Sequence, residues 1–181
     1  RILEIIRELI EANESEDDAA IVILANDDKE TMDNIIRDNI NDFMTTRIIT
    51  RSGVVTNINN LKKVNADQAK SIIIMNSAAS WRSNEALKLA DAMVLKSIMS
   101  IIAVCEGRLH PPITCEIHSD RDRELAENIS EGSVKALNEV SVLSRMIAQL
   151  ALSQNGLSVV YSDMVGFDGN EFYFYEPENS W

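Results

Sequence analysis

The stretch AAIVILANDD, residues 19–28, decides the fold of this chain. Its first seven residues form an unbroken apolar run of strand length, which is typical of a parallel strand buried on both faces. Asn26, Asp27 and Asp28 follow at once, and one of the two aspartates is placed to cap a helix. The apolar stripe of that helix is Met32, Ile35, Ile36 and Phe43.

The same alternation of strand and helix continues on both sides of this stretch. Apolar runs predict further strands at 47–50, 71–75, 113–117 and 134–137. Helical spacing predicts helices at 1–13, 61–64, 84–104, 121–129 and 142–150. Strict alternation favours right-handed crossovers. We therefore expect a Rossmann-like α/β fold, a doubly wound and mostly parallel sheet with helices on both faces.

The pattern changes after Gly156, where a short helical piece runs to Val165 and an aromatic strand is predicted at 171–175. We expect a Rossmann-like lobe over residues 1–154, with 155–181 as a linker and the start of a small second lobe. The chain begins inside a helical pattern without a methionine, which suggests a fragment of something longer. No stretch is long and apolar enough to predict a membrane span.

Composition limits the classes of partner. The 181 residues are 45% hydrophobic and carry 17 Lys and Arg against 29 Asp and Glu, a formal charge of -12. Such a surplus of carboxylates repels polyphosphates, so nucleic acid is not an expected partner. Cys105 and Cys115 lie in apolar runs without metal-site spacing, and we interpret both as core residues.

Polar residues at the carboxyl ends of the predicted strands are the first candidates for a binding site, because ligands of open parallel sheets bind there. For a nucleotide or similar cofactor the candidates are Asn26, Asp27, Arg51 and Asn76. Two of these candidates have structural alternatives. The cluster that contains Asn26 and Asp27 is somewhat better suited to capping a helix, and Arg51 is equally suited to a surface or interface salt bridge. His118 with Glu116 would make a metal or pH-sensing pair, or His118 a single hydrogen-bonded histidine.

Motifs of the common enzymes on this fold do not occur. There is no G-x-G-x-x-G, no P-loop and no nucleophile elbow, and the six glycines are scattered. We therefore expect a binding module and not an enzyme. An NAD-binding or nucleotide-binding oxidoreductase is the alternative on the same fold. A signalling receiver is weaker, because neither later strand ends in an aspartate that would accept phosphate.

Four stretches, taken in order, resemble the Castor and Pollux family of cation channels. They are IVILANDDKETMDNII at 21–36, RSGVVTNINNLKKVNADQAKSIIIM at 51–75, SNEALKLADAMVLKSIMSI at 83–101 and DMVGFDGNEFYFY at 163–175. The resemblance implies a domain that regulates potassium conductance, on the cytoplasmic side of an integral membrane channel. It implies pairs of such domains in a tetrameric gating ring, with a helix near 141–154 that crosses to a partner domain.

The ligand implied by this resemblance is calcium or a nucleotide, so calcium, an adenine nucleotide and NAD are the candidates. Should calcium bind, we expect its carboxylate ligands to be Asp27, Asp28, Glu116 and Asp120, because this hard cation takes six or more oxygens. In the family the domain opens with a strand and a glycine-containing turn, both missing here. That strand would lie between IVILA and SIIIM. We expect a separate segment or a partner chain to supply it, or the fold to have rearranged around its loss.

Overall fold

The computed structural model of the chain describes residues 1–130, 132–152 and 157–167. Helices and strands alternate through most of this length, which confirms the α/β class. In chain order the elements are α1 (Ile2–Ala12), β1 (Ala20–Ala25), α2 (Lys29–Asn39), β2 (Arg47–Ser52), α3 (Ile58–Lys63), a 3-10 turn (Ala66–Gln68), β3 (Ile72–Ile74), α4 (Asn84–Val104), β4 (Ile113–Glu116), α5 (Asp120–Ile129), β5 (Val134–Leu137), α6 (Glu139–Leu152) and α7 (Leu157–Val165).

The strands form two sheets. β1 pairs with β2, and the bonds from Arg47 N to Ala19 O and from Gly53 N to Ala25 O advance six residues along both strands, so the pair is parallel. β3, β4 and β5 form a second parallel sheet, in the order of their numbers. In the described part of the chain, β1 is therefore paired with β2 alone, and β3 with β4 alone.

The chain divides into two compact units. The first comprises residues 1–23 and 30–49 and, of the described residues further along the chain, 149–152 and 157–167. Its core is a cluster of four isoleucines, two from α1 and two from α2 or just after it: Ile6, Ile10, Ile36 and Ile40. Ile21 and Ile23 of β1 pack against this cluster. Alternate residues of the strand thus point to the helices, as the two-residue period of a strand requires.

The second unit comprises residues 24–29 and 50–148. Its core joins α4 and α5 to one face of the β3–β4–β5 sheet, with Ile98, Ile113 and Val134 fully buried. The opposite face carries the row Ile73, Thr114 and Lys135, which the strand register aligns. All three are exposed. One face of this sheet therefore holds the core and the other lies open.

Two details of the sequence interpretation are wrong. β1 is not buried on both faces along its length, since Val22 is 44% exposed. Ile21 and Ile23 pack against the cluster of α1 and α2, and on the opposite face only Leu24 is packed, against the core of the second unit. The stripe of α2 is also narrower than predicted. Met32 and Ile36 are buried one turn apart, whereas Ile35 is 48% exposed and Phe43 lies beyond the end of the helix at Asn39.

Both cysteines are buried and unbridged, as predicted. Burial raises the pKa of the Cys115 thiol to about 11, and it also raises the pKa of Cys105. Both side chains therefore remain neutral core residues at physiological pH.

No helix within the described ranges has the length and apolar character that crossing a bilayer would need. The strand predicted at 171–175 lies outside the described residues. The lobe boundary at residue 154 stays a prediction.

Candidate functional site

Polar side chains stand where each strand of the second unit's sheet ends. Asn76 follows β3, Glu116 ends β4, His118 comes two residues later, and Asn138 follows β5. Because the three strands are parallel, these residues lie at one edge of the sheet. This is the edge at which open α/β sheets bind ligands.

Asp91 of α4 organises this edge. Its carboxylate is 1% exposed and accepts four hydrogen bonds. Oδ1 accepts from Asn76 Nδ2 at 2.8 Å, from the His118 backbone N at 3.1 Å and from His118 Nδ1 at 3.2 Å. Oδ2 accepts from the backbone N of Ser119 at 2.9 Å. A buried carboxylate met by four donors is stable as an anion, so it fixes a negative charge beneath the strand ends.

Asn76 connects the ends of β3 and β4. Its backbone N donates to Glu116 Oε2 at 3.2 Å, and its Nδ2 also lies 3.3 Å from Glu116 O. Its Oδ1 accepts from the backbone N of Ala78 at 3.0 Å. All the polar atoms of the Asn76 side chain are thus engaged, which gives the loop after β3 one fixed conformation.

Asn138 extends the network to α6. Its Nδ2 donates to His118 O at 2.6 Å, and its Oδ1 accepts from the backbone N of Ser141 in the first turn of that helix. On the other side, Ser119 caps α5, since its hydroxyl accepts from Asp122 N at 3.4 Å. The three strand ends are therefore tied to the beginnings of two helices and to the buried face of a third.

His118 is the one member of the network, among the described residues, with an unmatched atom. Its side chain is 8% exposed, and Nδ1 donates to Asp91. Nε2 is buried and has no hydrogen-bond partner in the described part of the chain. A buried nitrogen of this kind calls for a donor, from a water molecule or from a bound group. His118 is thus the hydrogen-bonded histidine of the second interpretation, and its ring bonds Asp91.

Asn76 and Glu116 are therefore the two predicted site residues that the structure brings together. Arg51 is exposed, and its guanidinium donates to the backbone O of Thr50. Asp120 lies in the first turn of α5, with its side chain 83% exposed and paired with Arg123 at 2.8 Å. Neither of them joins the Asp91 network.

Asn26, Asp27 and Asp28 are exposed in the loop between β1 and α2. Within the ranges that the structure covers, no three His, Cys, Asp or Glu side chains are grouped closely enough to hold a metal ion. The structure does not gather Asp27, Asp28, Glu116 and Asp120 into one cluster. As calcium ligands they stay a prediction, as do the nucleotide contacts of Asn26, Asp27, Arg51 and Asn76.

Asp91 is the site residue that sequence reasoning missed. The helix at 84–104 is recognised by its apolar stripe, which includes Leu87, Val94 and Ile98. Asp91 stands four residues after Leu87 and three before Val94, so it occupies the same stripe. An acidic residue on the buried face of an apolar helix is the signal that the sequence offers.

A shallow groove of about 360 Å³ adjoins the network. It lies between the loop after β3 and the first half of α4, and Arg82 is its one charged lining residue among those described. The other lining residues are Ser77, Ala78, Ala86, Leu89, Ala90 and Met93. Ser77, which lines the groove, directly follows Asn76. A ligand at the strand ends would therefore lie beside this apolar surface.

Comparisons with known proteins agree with the resemblance noted in the sequence. The family model described as the calcium-activated potassium channel slowpoke-like RCK domain matches residues 1–129. A probable ion channel POLLUX of Oryza sativa subsp. japonica is 34% identical over 93% of this chain. The ion channels POLLUX and CASTOR of Lotus japonicus are 34% and 33% identical over the same share. The chain spans only 17% to 19% of the length of these three relatives.

Proposed function

The chain belongs to the family of calcium-activated potassium channel slowpoke-like RCK domains, and from this premise we propose that it is the ligand-sensing regulatory domain of a potassium or other cation channel. In that role it lies on the cytoplasmic side of the membrane and is not an enzyme. The relatives named above are ion channels, which supports the proposal. Nothing favours the alternative of an NAD-dependent oxidoreductase.

The polar network around Asp91 is the observation that carries the proposal. A ligand at Asn76 and Glu116 would contact the ends of β3 and β4. Through Asp91 these ends are connected to α4 and to the first turn of α5. A regulatory domain needs a ligand that prefers one arrangement of its elements over another, because only that difference in affinity shifts the equilibrium. Elements joined by buried hydrogen bonds respond to such a ligand together.

The ligand is calcium, an adenine nucleotide or NAD in this proposal, and titration calorimetry with Ca²⁺, ATP, ADP and NAD in turn distinguishes them. Glu116→Gln removes the carboxylate charge of this side chain and should weaken Ca²⁺ binding about tenfold or more, because the cation loses a charged oxygen ligand. The double variant Asp27→Asn, Asp28→Asn tests the predicted carboxylate ligands of the exposed loop after β1 in the same titration. Loss of binding in this variant alone would move the site to that loop. Failure of all four ligands to bind would contradict ligand sensing.

Assembly into dimers and a tetrameric ring is the second part of the proposal, and α6 supplies the surface. None of its described residues is buried. Val140, Leu143 and Ile147 are 49%, 49% and 64% exposed and stand at helical spacing on one side. An exposed apolar stripe of this kind marks a protein interface. We place α6 against a second copy of the chain.

Light scattering after size exclusion tests this assignment. The double variant Leu143→Lys, Ile147→Lys should shift the protein to monomer, because it puts two charges into the apolar stripe. Gln149→Lys lies on the opposite side of the same helix and is the matched control. A double variant with the mass of the wild type would rule out α6 as the interface.

The third part of the proposal is an additional strand that pairs with β1 and β3. β1 and β3 each have a partner on one side only in the described residues, and unpaired edges are costly when buried. We propose that a separate segment of the same protein or a partner chain supplies a strand that pairs with both edges. Supplying that strand should slow amide exchange in β1 and β3. Exchange unchanged in both strands would refute the idea.

A further inference from the structure

His110 and Ser133 connect the two segments that lead into β4 and β5. His110 Nδ1 lies 2.7 Å from the backbone O of Pro111, and its Nε2 lies 2.8 Å from Ser133 Oγ. Ser133 Oγ lies 2.6 Å from the backbone O of Ser130. Three contacts of hydrogen-bond length thus form one chain, which begins and ends at a carbonyl oxygen.

Counting protons along this chain decides the charge of the ring. Carbonyl oxygens only accept, so the 2.7 Å contact with Pro111 O places a proton on Nδ1. Ser130 O already accepts from the backbone N of Ser133 at 3.0 Å, but its 2.6 Å contact with Ser133 Oγ still requires the hydroxyl proton between the two oxygens. The contact between Nε2 and Oγ then needs a third proton. A neutral imidazole and a hydroxyl bring two protons, whereas an imidazolium and a hydroxyl bring three. Only the protonated ring satisfies every contact.

We propose that His110 and Ser133 form a proton-dependent clasp between the amino ends of β4 and β5. A neutral ring leaves one short contact without a proton in either tautomer. With the proton on Nε2 the contact with Pro111 O has none, and with the proton on Nδ1 the hydroxyl can donate either to Nε2 or to the Ser130 carbonyl. With a charged ring, all three contacts are hydrogen bonds. The clasp is therefore strongest at low pH and weakens as pH rises through the range of about 5 to 8 in which histidine loses its charge.

The charged groups on the surrounding segments do not account for this preference. Arg108, on the same linker, donates to Asp67 Oδ2 at 2.7 Å, and Lys135 of β5 donates to the backbone O of Gly132. Neither group brings an uncompensated negative charge to the ring, because Arg108 is paired with Asp67 and Lys135 is itself a cation. Glu127 of α5 acts on Cys115, whose pKa it helps to raise. Glu131 lies outside the described residues. Proton uptake in the clasp thus rests on its hydrogen bonds.

The position of the clasp gives it a regulatory meaning. β4 begins two residues after Pro111 and ends at Glu116, so one four-residue strand runs from the clasp to the Asp91 network. Pro112 O also accepts from Ile72 N at 2.9 Å, which joins the clasp to the start of β3. Protonation at one end of this sheet would thus stiffen the strand that carries Glu116 at the other. This inference does not depend on the identity of the ligand.

Histidine side-chain NMR on the protein tests the clasp directly, because the chain has only two histidines. Ser133→Ala removes the oxygen that accepts the third proton. We expect His110 in this variant to bind its proton about fivefold more weakly, a shift of about 0.7 pH unit, which reflects the difference between a charged and a neutral hydrogen bond. His118 serves as the internal control, and Ser133→Thr, which keeps the hydroxyl, should behave as the wild type.

A second measurement removes any dependence on that one variant. The free energy of unfolding of the wild type should fall from pH 5 to pH 8 relative to that of His110→Gln. The contribution of His118 is common to both proteins and cancels. Parallel stability curves, or the same His110 titration in the wild type and in Ser133→Ala, would overturn the clasp.

Discussion

The two ends of the β3–β4–β5 sheet are held by opposite means. At the carboxyl end, one buried carboxylate binds two strand ends and the start of a helix. At the amino end, ion pairs of exposed cations connect the elements beside the clasp: Lys62 with Glu106 at 2.7 Å, and Arg108 with Asp67, whose side chain is 15% exposed, at 2.7 Å. Buried charge networks are sensitive to every partner, whereas pairs with an exposed member contribute less each. The carboxyl end is therefore built to respond to a bound group and the amino end to hold the strands in place.

The two histidines, one at each end of the sheet, differ in the hydrogen-bond acceptors around their rings. The Nδ1–H of His118 donates a hydrogen bond to Asp91. A proton on the buried Nε2 would have no acceptor among the described residues. His110 stands between acceptors on both sides. The number of hydrogen-bond acceptors around an imidazole ring decides how many of its N–H groups can donate, and the position of the histidine in the sequence does not.

The largest effect should come from Asp91→Ala. It leaves three or more buried donors, on Asn76, His118 and Ser119, without an acceptor. We expect the free energy of unfolding, measured in urea, to fall by about 3–5 kcal/mol. Asp120→Ala is the control, since that exposed carboxylate bonds Arg123, and its effect should be far smaller. Equal losses of unfolding free energy in the two variants would contradict the proposed difference between the buried network and the exposed ion pair.

Gly53 directly follows β2, and a substitution there tests how closely side chains pack at the carboxyl end of this strand. A Cβ at this position would lie 2.6 Å from Asn60 Nδ2 and 2.9 Å from Asn60 Cγ. That amide donates to Val54 O at 3.2 Å, so it can move only by giving up the bond. Gly53→Ala should cost about 1–3 kcal/mol in the same unfolding measurement. Asn60→Ala in the same chain should recover part of the loss, and an unaltered loss would exclude the steric cause.

Gly132 lies two residues before β5, and a substitution there tests whether the backbone conformation at the amino end of this strand requires a glycine. Its φ is +84°, and a Cβ added there would meet no described atom within 4 Å, so space is not the constraint. Gly132→Ala should cost about 1 kcal/mol because a left-handed backbone disfavours a side chain. Gly132→Asn should cost less, since asparagine tolerates this region. The order of the two variants in thermal unfolding is the check, and the reverse order would contradict it.

The smallest effect belongs to the ion pair of Asp67 and Arg108. The hydrogen bond from Arg108 is the main cause that lowers the pKa of Asp67. A lowered folded pKa gives stability that is present above the ordinary aspartate value of about 3.9 and is lost as pH falls through the folded value. Arg108→Gln should therefore be slightly less stable near pH 6, with the difference vanishing in strong acid. A difference that stays constant with pH would point to another cause.

Much of the fold could be predicted because local patterns sufficed for it. The helix at 84–104 and the strand at 134–137 match α4 and β5 to the residue. Burial could not be assigned in the same way. The apolar run of β1 looks like that of a strand covered on both faces, yet Val22 is exposed because coverage depends on neighbouring elements that the run itself does not encode.

The candidate site was predictable in part for a related reason. Asn76 and Glu116 follow strands, so topology alone placed them at the ligand edge. Asp91 comes from the middle of a helix, and its role depends on how α4 crosses the sheet. Spacing within the sequence also could not separate Asp120, which turns outward, from Glu116, which reaches Asn76.

Hydrogen exchange with and without Ca²⁺, ATP, ADP or NAD tests most directly whether the carboxyl end is the sensing end. At least one of these ligands should slow amide exchange at Asn76–Ala78 and His118–Ser119, and by a larger factor than in the segment around His110 and Ser133. Slowing confined to the amino end, or no change with any of the four, would contradict the assignment.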